Sequence, residues 1–520
     1  MNKIYQKRLS QLKKNLARKP YLKFIKKLFK KFPESEIYLV GGAVRDTLLG
    51  LKEQKDYDFV VRNIAPQSLN EFLEKIGQVS LVGKNFSVYK FYPQGKKLDE
   101  AIDIALPRTE HALNTGGYKD FEVQSDYRMP IKEDLARRDF TINAFAFDLK
   151  NGKLIDEFRG LSDLENKIIR TVGEPKKRFS EDYSRMLRAL RFSCQLDFKI
   201  EINTFKSIKE NISNINKKRL VSNKFERVVP SETISEELLK AFYENPKRAL
   251  ELYDKSSTFE QLVPELLAMK DCLHPKNFHS EGDVYEHTKL CIENLKSKNF
   301  RKQFKDNPEI NTELIIAVLL HDIGKPLTIK TPEKDGTDRI RYNEHDIKGA
   351  KLARSICKNL KFDSEPRESI LRVNPENVFW MIKRHLITLH GDINKMRAAT
   401  IEKLFFNKLR PGKNLLRLLY IDAISTIPEK GETDLTNFYK LVKRIKDLDK
   451  LHKEKDKLPP PILDGNEIMA KLKLKSGPQI GKLLSILREE QLQGRVGMEK
   501  SVKERKKKAL EILEKYSNKL

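Results

Sequence analysis

Residues 38–61 read YLVGGAVRDTLLGLKEQKDYDFVV, and the fold turns on how this stretch is read. Apolar Tyr38–Val40 predict a strand, Gly41-Gly42 a turn, Val44–Leu49 a short helix, and Tyr57–Val61 a second strand. Gly41 and Gly42 lack a Cβ, tolerate positive φ and let backbone approach a phosphate closely. Arg45 stands one turn into the helix, placed to reach the same phosphates. Asp56 and Asp58 are two residues apart as a strand begins, so both side chains point to one face. Adjacent carboxylates repel, and a divalent cation is the usual reason to hold them together. The combination points to metal-assisted chemistry on a nucleoside triphosphate. It is not a P-loop, because the Walker A pattern is absent.

Outward from this stretch, charge narrows the class. The 520 residues provide for several domains, and 102 Lys+Arg against 74 Asp+Glu leave a formal charge of +28. Such an excess suits a polyanion, nucleic acid first and an anionic membrane surface second. No apolar run approaches the length of a spanning helix or a signal-peptide core, so no membrane association and a cytoplasmic location are expected. Cys194, Cys272, Cys291 and Cys357 lack zinc spacing and are expected to be reduced core thiols.

Downstream, Val79–Val82, Val88–Phe91 and Ala101–Ala105 predict strands and Ser68–Ile76 a helix. Asp103 lies between Ile102 and Ile104, so alternation turns it from their apolar face and makes it a candidate third carboxylate. Residues 108–133 are polar and Gly-containing and predict a loop. Arg137, Arg138 and Asp139 precede an apolar run, Ile142–Phe147, read as a helix. Further on, Met186, Leu187, Leu190 and Phe192 mark a helix that sets Glu181, Arg185 and Arg188 along one side, with Asp182 adjoining. A salt-bridge ladder is the plain alternative for that pattern. Arg191 follows on the same helix.

A second constellation begins at His287 and continues through His321-Asp322, His345 and Asp422. Imidazole and carboxylate are the ligand mix of a divalent-metal hydrolase. His321-Asp322 ends the apolar run Leu314–Leu320, which puts the pair on a buried helix. His385 and His390 are additional candidates. Beyond the stiff Pro459-Pro460-Pro461, two short helices flank Gly477-Pro478 and a basic amphipathic helix ends the chain.

In their order, GGAVRDTLLG with DYD, then RRDFTINA, IDEFRGLSDLE and EDYSRMLR, resemble the motifs of the class II tRNA CCA-adding enzymes and poly(A) polymerases. The segment after residue 276 resembles the HD phosphohydrolase domain that some members carry. The resemblance implies an α+β architecture: a polymerase-beta-like nucleotidyltransferase head followed by all-α neck, body, HD and tail. The boundaries read as a basic extension at 1–30, head at 31–164, neck at 165–240, body at 241–275, HD domain at 276–430 and tail at 431–520. It further implies Mg²⁺ on Asp56 and Asp58, the catalytic pair. Gly41, Gly42, Arg45 and Arg138 would hold the triphosphate, and Asp139 the ribose hydroxyl. Asp182, Arg185 and Arg188 would bind and read the base, with Asp103, Glu181 and Arg191 as supporting candidates.

A carboxylate accepts from the amino group that C and A share, and guanidinium donates to a ring nitrogen or carbonyl. The loop at 108–133 resembles the one that permits the switch from C to A. Asp156, Gly160, Asp163 and Leu164 match a motif read as the joint between head and neck. One departure is Thr233, which stands where the family carries an arginine between Glu232 and Glu237, so a local ion pair is expected to be missing. The implied partners are tRNA, CTP and ATP, with a divalent metal of unspecified identity on the HD residues, in a monomer or homodimer. Alternatives are a poly(A) polymerase, an enzyme adding only the terminal A, and a metal phosphohydrolase with an RNA-binding head.

Overall fold

Strand β1 (Glu36–Val40) is buried along its apolar length, which demands cover on both faces. In a computed structural model it sits inside a mixed sheet with β2 (Asp58–Arg62), β3 (Gly77–Val82), β4 (Val88–Pro93), β5 (Ile102–Ala105), β8 (Ala146–Asp148) and β9 (Leu154–Ile155), while β6 (Arg108–Ala112) and β7 (Phe121–Ser125) pair separately. The structure describes all residues except 1, 52–56, 83–87, 96–100, 113–114, 118–119, 222, 276–278, 307–308, 367–368, 390–391, 431, 455–460, 497–500 and 518–520, and the side chains of 110–112, 121–123 and 451–454. The sheet order is β3-β4-β5-β2-β1-β8-β9, with β2 and β5 parallel and the other pairs antiparallel.

Tyr38, Val40 and Val60 pack on one sheet face with Ile131, Leu135, Ala144 and Ala146. On Phe59, the ring of Phe24 closes edge-on at 6.3 Å and also meets Phe91 at 5.1 Å. The basic N-terminal stretch is therefore built into this core. Its helices Lys3–Arg18 and Phe24–Lys31 bury Leu9, Leu12, Leu16, Phe24, Ile25 and Leu28, and their lysines face outward along the rest of the surface.

Two expectations are corrected. The apolar run at 142–147 is a 3₁₀ turn, Thr141–Asn143, followed by β8, which pairs with β1. A run buried on every side carries no period, so helix and strand look alike in it. Within the stretch expected to be a loop, Arg108–Ala112 and Phe121–Ser125 are the antiparallel strands β6 and β7, and Ile131–Ala136 is a helix.

Gly160 opens the helix Gly160–Glu165, whose first amides are capped by the Asp156 carboxylate at 2.7 and 3.0 Å. A Cβ there would lie 2.3 Å from the carbonyl oxygen of Thr141, and Thr141 Oγ1 in turn donates to Asp163 at 2.7 Å. Backbone cannot swing away as a side chain can. Gly160→Ala should therefore cost about 1–3 kcal/mol, read as a lowered thermal unfolding midpoint; an unchanged midpoint would show that this joint is slack.

The chain forms two compact units, Met1–Pro264 and Glu265–Leu520. Beyond the sheet, the first unit is helical, with Phe242, Tyr253 and Phe259 clustered within 5.8–6.5 Å of one another. A hairpin, Lys218–Val221 with Lys224–Arg227, projects from it. The second unit is nearly all helical and ends in helices Gly465–Leu472, Pro478–Leu492 and Val502–Ser517, which share a core of Ile468, Leu483, Leu487, Ala509 and Leu513. Among the described residues, no helix is long and apolar enough to cross a membrane.

Candidate active site and candidate metal centre

The turn after β1 puts Gly41 at φ +72°, and the guanidinium of Arg138 lies against it, 2.9 Å from where a Cβ would be. Glycine is needed here for both reasons: an L side chain would strain the backbone and push Arg138 away. Asp58 opens β2 with its side chain exposed, directly opposite Asp103 on the parallel strand β5. Asp103 points from the apolar face of Ile102 and Ile104 as alternation predicts, but Lys90 holds both of its oxygens at 2.8 and 2.9 Å. That hydrogen bond raises the Lys90 pKa, so Asp103 is charge-balanced within the protein. Asp56 lies outside the described residues. Asp58 lines a cavity of about 440 Å³ with Gly41, Arg138, Asp139, Arg188 and Phe192. It also lines a smaller one of about 180 Å³ with Asp103 and Arg108.

Behind the larger cavity runs a buried polar network. Arg45 donates to Asn143 at 2.6 Å and to Asp46 at 2.8 Å, its guanidinium 5.0 Å from the Phe192 ring. Asn143 donates at 3.0 Å to Asp139, which also accepts from its neighbour's amide at 2.8 Å and from Arg188 at 2.8 and 2.9 Å. Those four bonds occupy the usual acceptor directions of a carboxylate, so a ribose hydroxyl would have to displace one of them. Burial alone would raise the Asp139 pKa, but Arg188 and Asn143 outweigh it and hold the carboxyl well below its usual range. Glu237 completes the chain, accepting from Arg191 at 2.6 Å with Arg188 3.6 Å away. Glu237 thus keeps its ion pairs with Thr233 in the departed position.

Glu181 to Arg188 is not one helix. The helix Pro175–Glu181 stops, Asp182 is extended at φ −151°, and Ser184–Leu196 starts afresh. Asp182 causes the break by accepting from Ser184 N at 2.8 Å and Oγ at 2.6 Å, the local competition with helix that short polar side chains offer. Arg185 reaches Glu181 at 2.7 Å and the carbonyls of Arg178 and Arg137 at 3.2 Å. Burial raises the pKa of Asp182. Asp182 and Arg185 are both buried and lie outside the lining of the 440 Å³ cavity, whereas Gly42, Arg45 and Arg191 are within it.

In the second unit, His321 and Asp322 follow the buried helix Thr312–Leu320. The Nδ1 of His321, His345 and His385 lies 2.8, 2.7 and 2.6 Å from the carbonyls of Val318, Tyr342 and Ile382. A carbonyl only accepts, so each Nδ1 carries the proton and each Nε2 offers its lone pair. These Nε2 atoms converge on Asp322 at 3.3 Å (His321), 3.6 Å (His345) and 3.6 Å (His385). His287 Nε2 lies 3.1 Å from Asp422 and 3.4 Å from Cys291 Sγ, and its Nδ1 lies 2.8 Å from Glu281.

Two ligand groups result, His287 with Cys291, His321 and Asp422, and Asp322 with His345 and His385. Nε2 of His321 and of His345 has no hydrogen-bond partner although buried. Buried acceptors left so, 3–4 Å from carboxylate oxygens, fit divalent cations bound at about 2.0–2.2 Å. A cavity of about 550 Å³ lies over this cluster, with Lys325, Arg339 and Arg341 in its wall.

His385 enters the cluster fully, and His390 lies outside the described residues. His274, His279 and Glu281, which form a third group, were not singled out in the sequence, and Cys291, a buried free thiol as expected, also lies within ligand distance of His287, His321 and Asp422. Only helical spacing from His287 to Cys291 could have flagged that cysteine. All four cysteines are free and buried.

With both sites in view, comparison with known proteins is direct. Residues 37–170 match the Poly A polymerase head domain and residues 284–454 the HD domain. The chain thus has the class of a nucleotidyltransferase head joined to an HD domain. It is 31% identical over 381 residues to a multifunctional CCA protein of Nitrosospira multiformis, covering 73% of this chain and 78% of that one. With the Haemophilus influenzae multifunctional CCA protein it shares 34% over 414 residues, 77% of this chain and 86% of the relative. The chain belongs to the multifunctional CCA protein family.

Its fold is that of the Bacillus stearothermophilus CCA-adding enzyme solved with CTP, at a TM-score of 0.55 and 21% identity over 92% and 94% of the two chains. The Thermotoga maritima CCA-adding enzyme solved with tRNA gives 0.53 and 21% over 97% and 98%.

Proposed function

We propose that the protein completes the 3′-CCA end of tRNA from CTP and ATP without a nucleic-acid template, as a tRNA nucleotidyltransferase. The observation that carries this reading is the exposed Asp58 at the mouth of a cavity walled by the Gly41 turn, Arg138 and the Asp139–Arg188 pair. Asp56 and Asp58 are the residues that would hold Mg²⁺, which when bound supplies the positive charge that acidifies the primer 3′-hydroxyl and neutralises the triphosphate. Arg138 and the Gly41-Gly42 amides grip phosphate. Asp139, with its orientation fixed by Asn143 and Arg188, meets the sugar once one of its present bonds yields. Asp182 and Arg185, buried outside the cavity lining, read the base only once their present bonds yield and they turn to the cleft; Arg185 bonds the carbonyl of Arg137, one residue from Arg138.

In the HD unit, the basic wall above His321, Asp322, His345 and His385 suits a phosphate ester, 2′,3′-cyclic nucleotides or phosphate monoesters among them. His321, Asp322, His345 and His385 would hold a metal, which when bound would supply a polarised water, and the Lys325 ammonium lies 2.6 Å from Asp322. The test of the main reading is incubation of a tRNA transcript lacking CCA with CTP and ATP. The product should gain three nucleotides and stop. Long A tails without C would instead make the protein a poly(A) polymerase.

A further inference from the structure

The hairpin Lys218–Val221/Lys224–Arg227 has no part in the chemistry above, yet its two faces differ sharply. Antiparallel register sets Leu220 opposite Phe225 and Lys218 opposite Arg227, and alternation puts these four on one face. Leu220 is 62% and Phe225 75% exposed. On the other face, Arg219 is ion-paired to Asp120 in the β6–β7 connection. Just before the hairpin, Lys217 Nζ meets the hydroxyl of Tyr183 at 3.1 Å, and the Tyr183 amide donates to Gly116 at 3.0 Å. The hairpin is thus fastened beside the residue that follows Asp182, and its aromatic face is left to solvent.

An aromatic ring held out among cations is the arrangement that stacks unpaired bases, because every base offers a π-face and every phosphate a charge. From 217 to 227 there are five basic residues and one acid, Glu226. That balance disfavours a protein partner, since protein interfaces are depleted in lysine. It also disfavours purely double-stranded RNA, which is read by shape and backbone without stacking. We propose that the outer face of this hairpin, centred on Phe225 with Leu220 and Lys218 beside it and Arg227 turned inward onto Asn216 at 2.9 Å, is a stacking platform for unpaired nucleotides of the RNA primer. The inference rests on the RNA-extending reading above and adds to it a recognition surface outside the active-site cavity.

The test uses the full-length protein and a 5′-labelled tRNA transcript lacking CCA, followed by fluorescence anisotropy, with extension by CTP and ATP measured on the same samples. Phe225→Ala should weaken RNA binding about 5- to 150-fold, the range of one lost base–aromatic stack. Phe225→Tyr should bind like the unaltered protein, and the KM for CTP should not move in either variant. Lys218→Ala should flatten the salt dependence of binding by about 0.7 in log–log slope, as for one phosphate contact to a single strand. Unchanged RNA binding by Phe225→Ala overturns the platform and leaves the face to a protein partner. A Phe225→Tyr variant as weak as Phe225→Ala overturns it too. If the unaltered protein neither binds nor extends the transcript, the RNA reading fails and the platform with it. If it does both and only the variants are silent, the platform alone fails.

Discussion

Asp58→Ala is expected to abolish nucleotide addition, by about three orders of magnitude or more in kcat/KM. A carboxylate-held cation contributes several kcal/mol of charge stabilisation, and each 1.4 kcal/mol is tenfold in rate. The loss should fall on kcat, because under the proposed roles Arg138 and the Gly41 turn would still hold the triphosphate. Folding should not suffer, since Asp58 is exposed at the start of β2. The check is single-turnover incorporation of labelled CMP, with circular dichroism to establish that the variant is folded. Substantial activity in Asp58→Ala would remove this carboxylate from the chemistry.

The complementary experiment separates the two units. His321→Ala should leave nucleotide addition intact while lowering the affinity of the second unit for a divalent ion more than about 100-fold. Even residues that only orient a ligand cost 10- to 100-fold when replaced, and His321 presents its own unpartnered Nε2 to Asp322. The readouts are calorimetric titration with Mn²⁺ or Ni²⁺ and hydrolysis of bis-p-nitrophenyl phosphate. Unaltered metal binding would show that His321 is an ordinary buried histidine. Loss of nucleotide addition with hydrolysis retained would invert the roles given to the two units.

What could be read in advance follows from where each signal lives. The strand–turn–helix–strand of 38–61 is local, and β3, β4 and β5 alternate, so both were legible and land within two or three residues of the observed bounds. The apolar 142–147 was misread because residues covered on all sides show no face. The β6–β7 hairpin was misread because its polar composition imitates a loop. In the neck, i, i+4 and i+7 spacing implied one helix, but the Asp182 side chain captures Ser184 and breaks it.

The active-site network was illegible for another reason. Arg188 meets Asp139 from 49 residues away and Arg191 meets Glu237 from 46, so only the fold joins them. In the metal cluster, His287, His321, Asp322, His345 and Asp422 were legible as a set and His385 as a candidate, but their grouping was not. His385 reaches Asp322 from just past the helix Pro375–Ile382, and His274 joins through Lys325 from a distant part of the chain, while His279 lies beside its partner Glu281 in sequence.

The pairing of Arg188 with Asp139 also sets how the cleft must work. Asp139 is fully bonded within the protein, so under the proposed reading a ribose hydroxyl that reaches it would exchange one of these bonds for a new one. Such an exchange favours a ligand that fits over one that merely carries charge. Arg45 lines the cavity but spends its guanidinium on Asn143 and Asp46, a geometry suited to positioning Asn143.

Under the proposed function, one protein surface specifies C, C and A in turn. The measurement that tests it most directly is single-nucleotide incorporation on a tRNA trimmed to end before the CCA, after the first C, and after CC. CMP should be added to the first two substrates and AMP only to the third, with nothing added to a complete CCA end. AMP addition confined to the CC-ended substrate, with CMP never incorporated, would contradict the account and make the protein an A-adding enzyme.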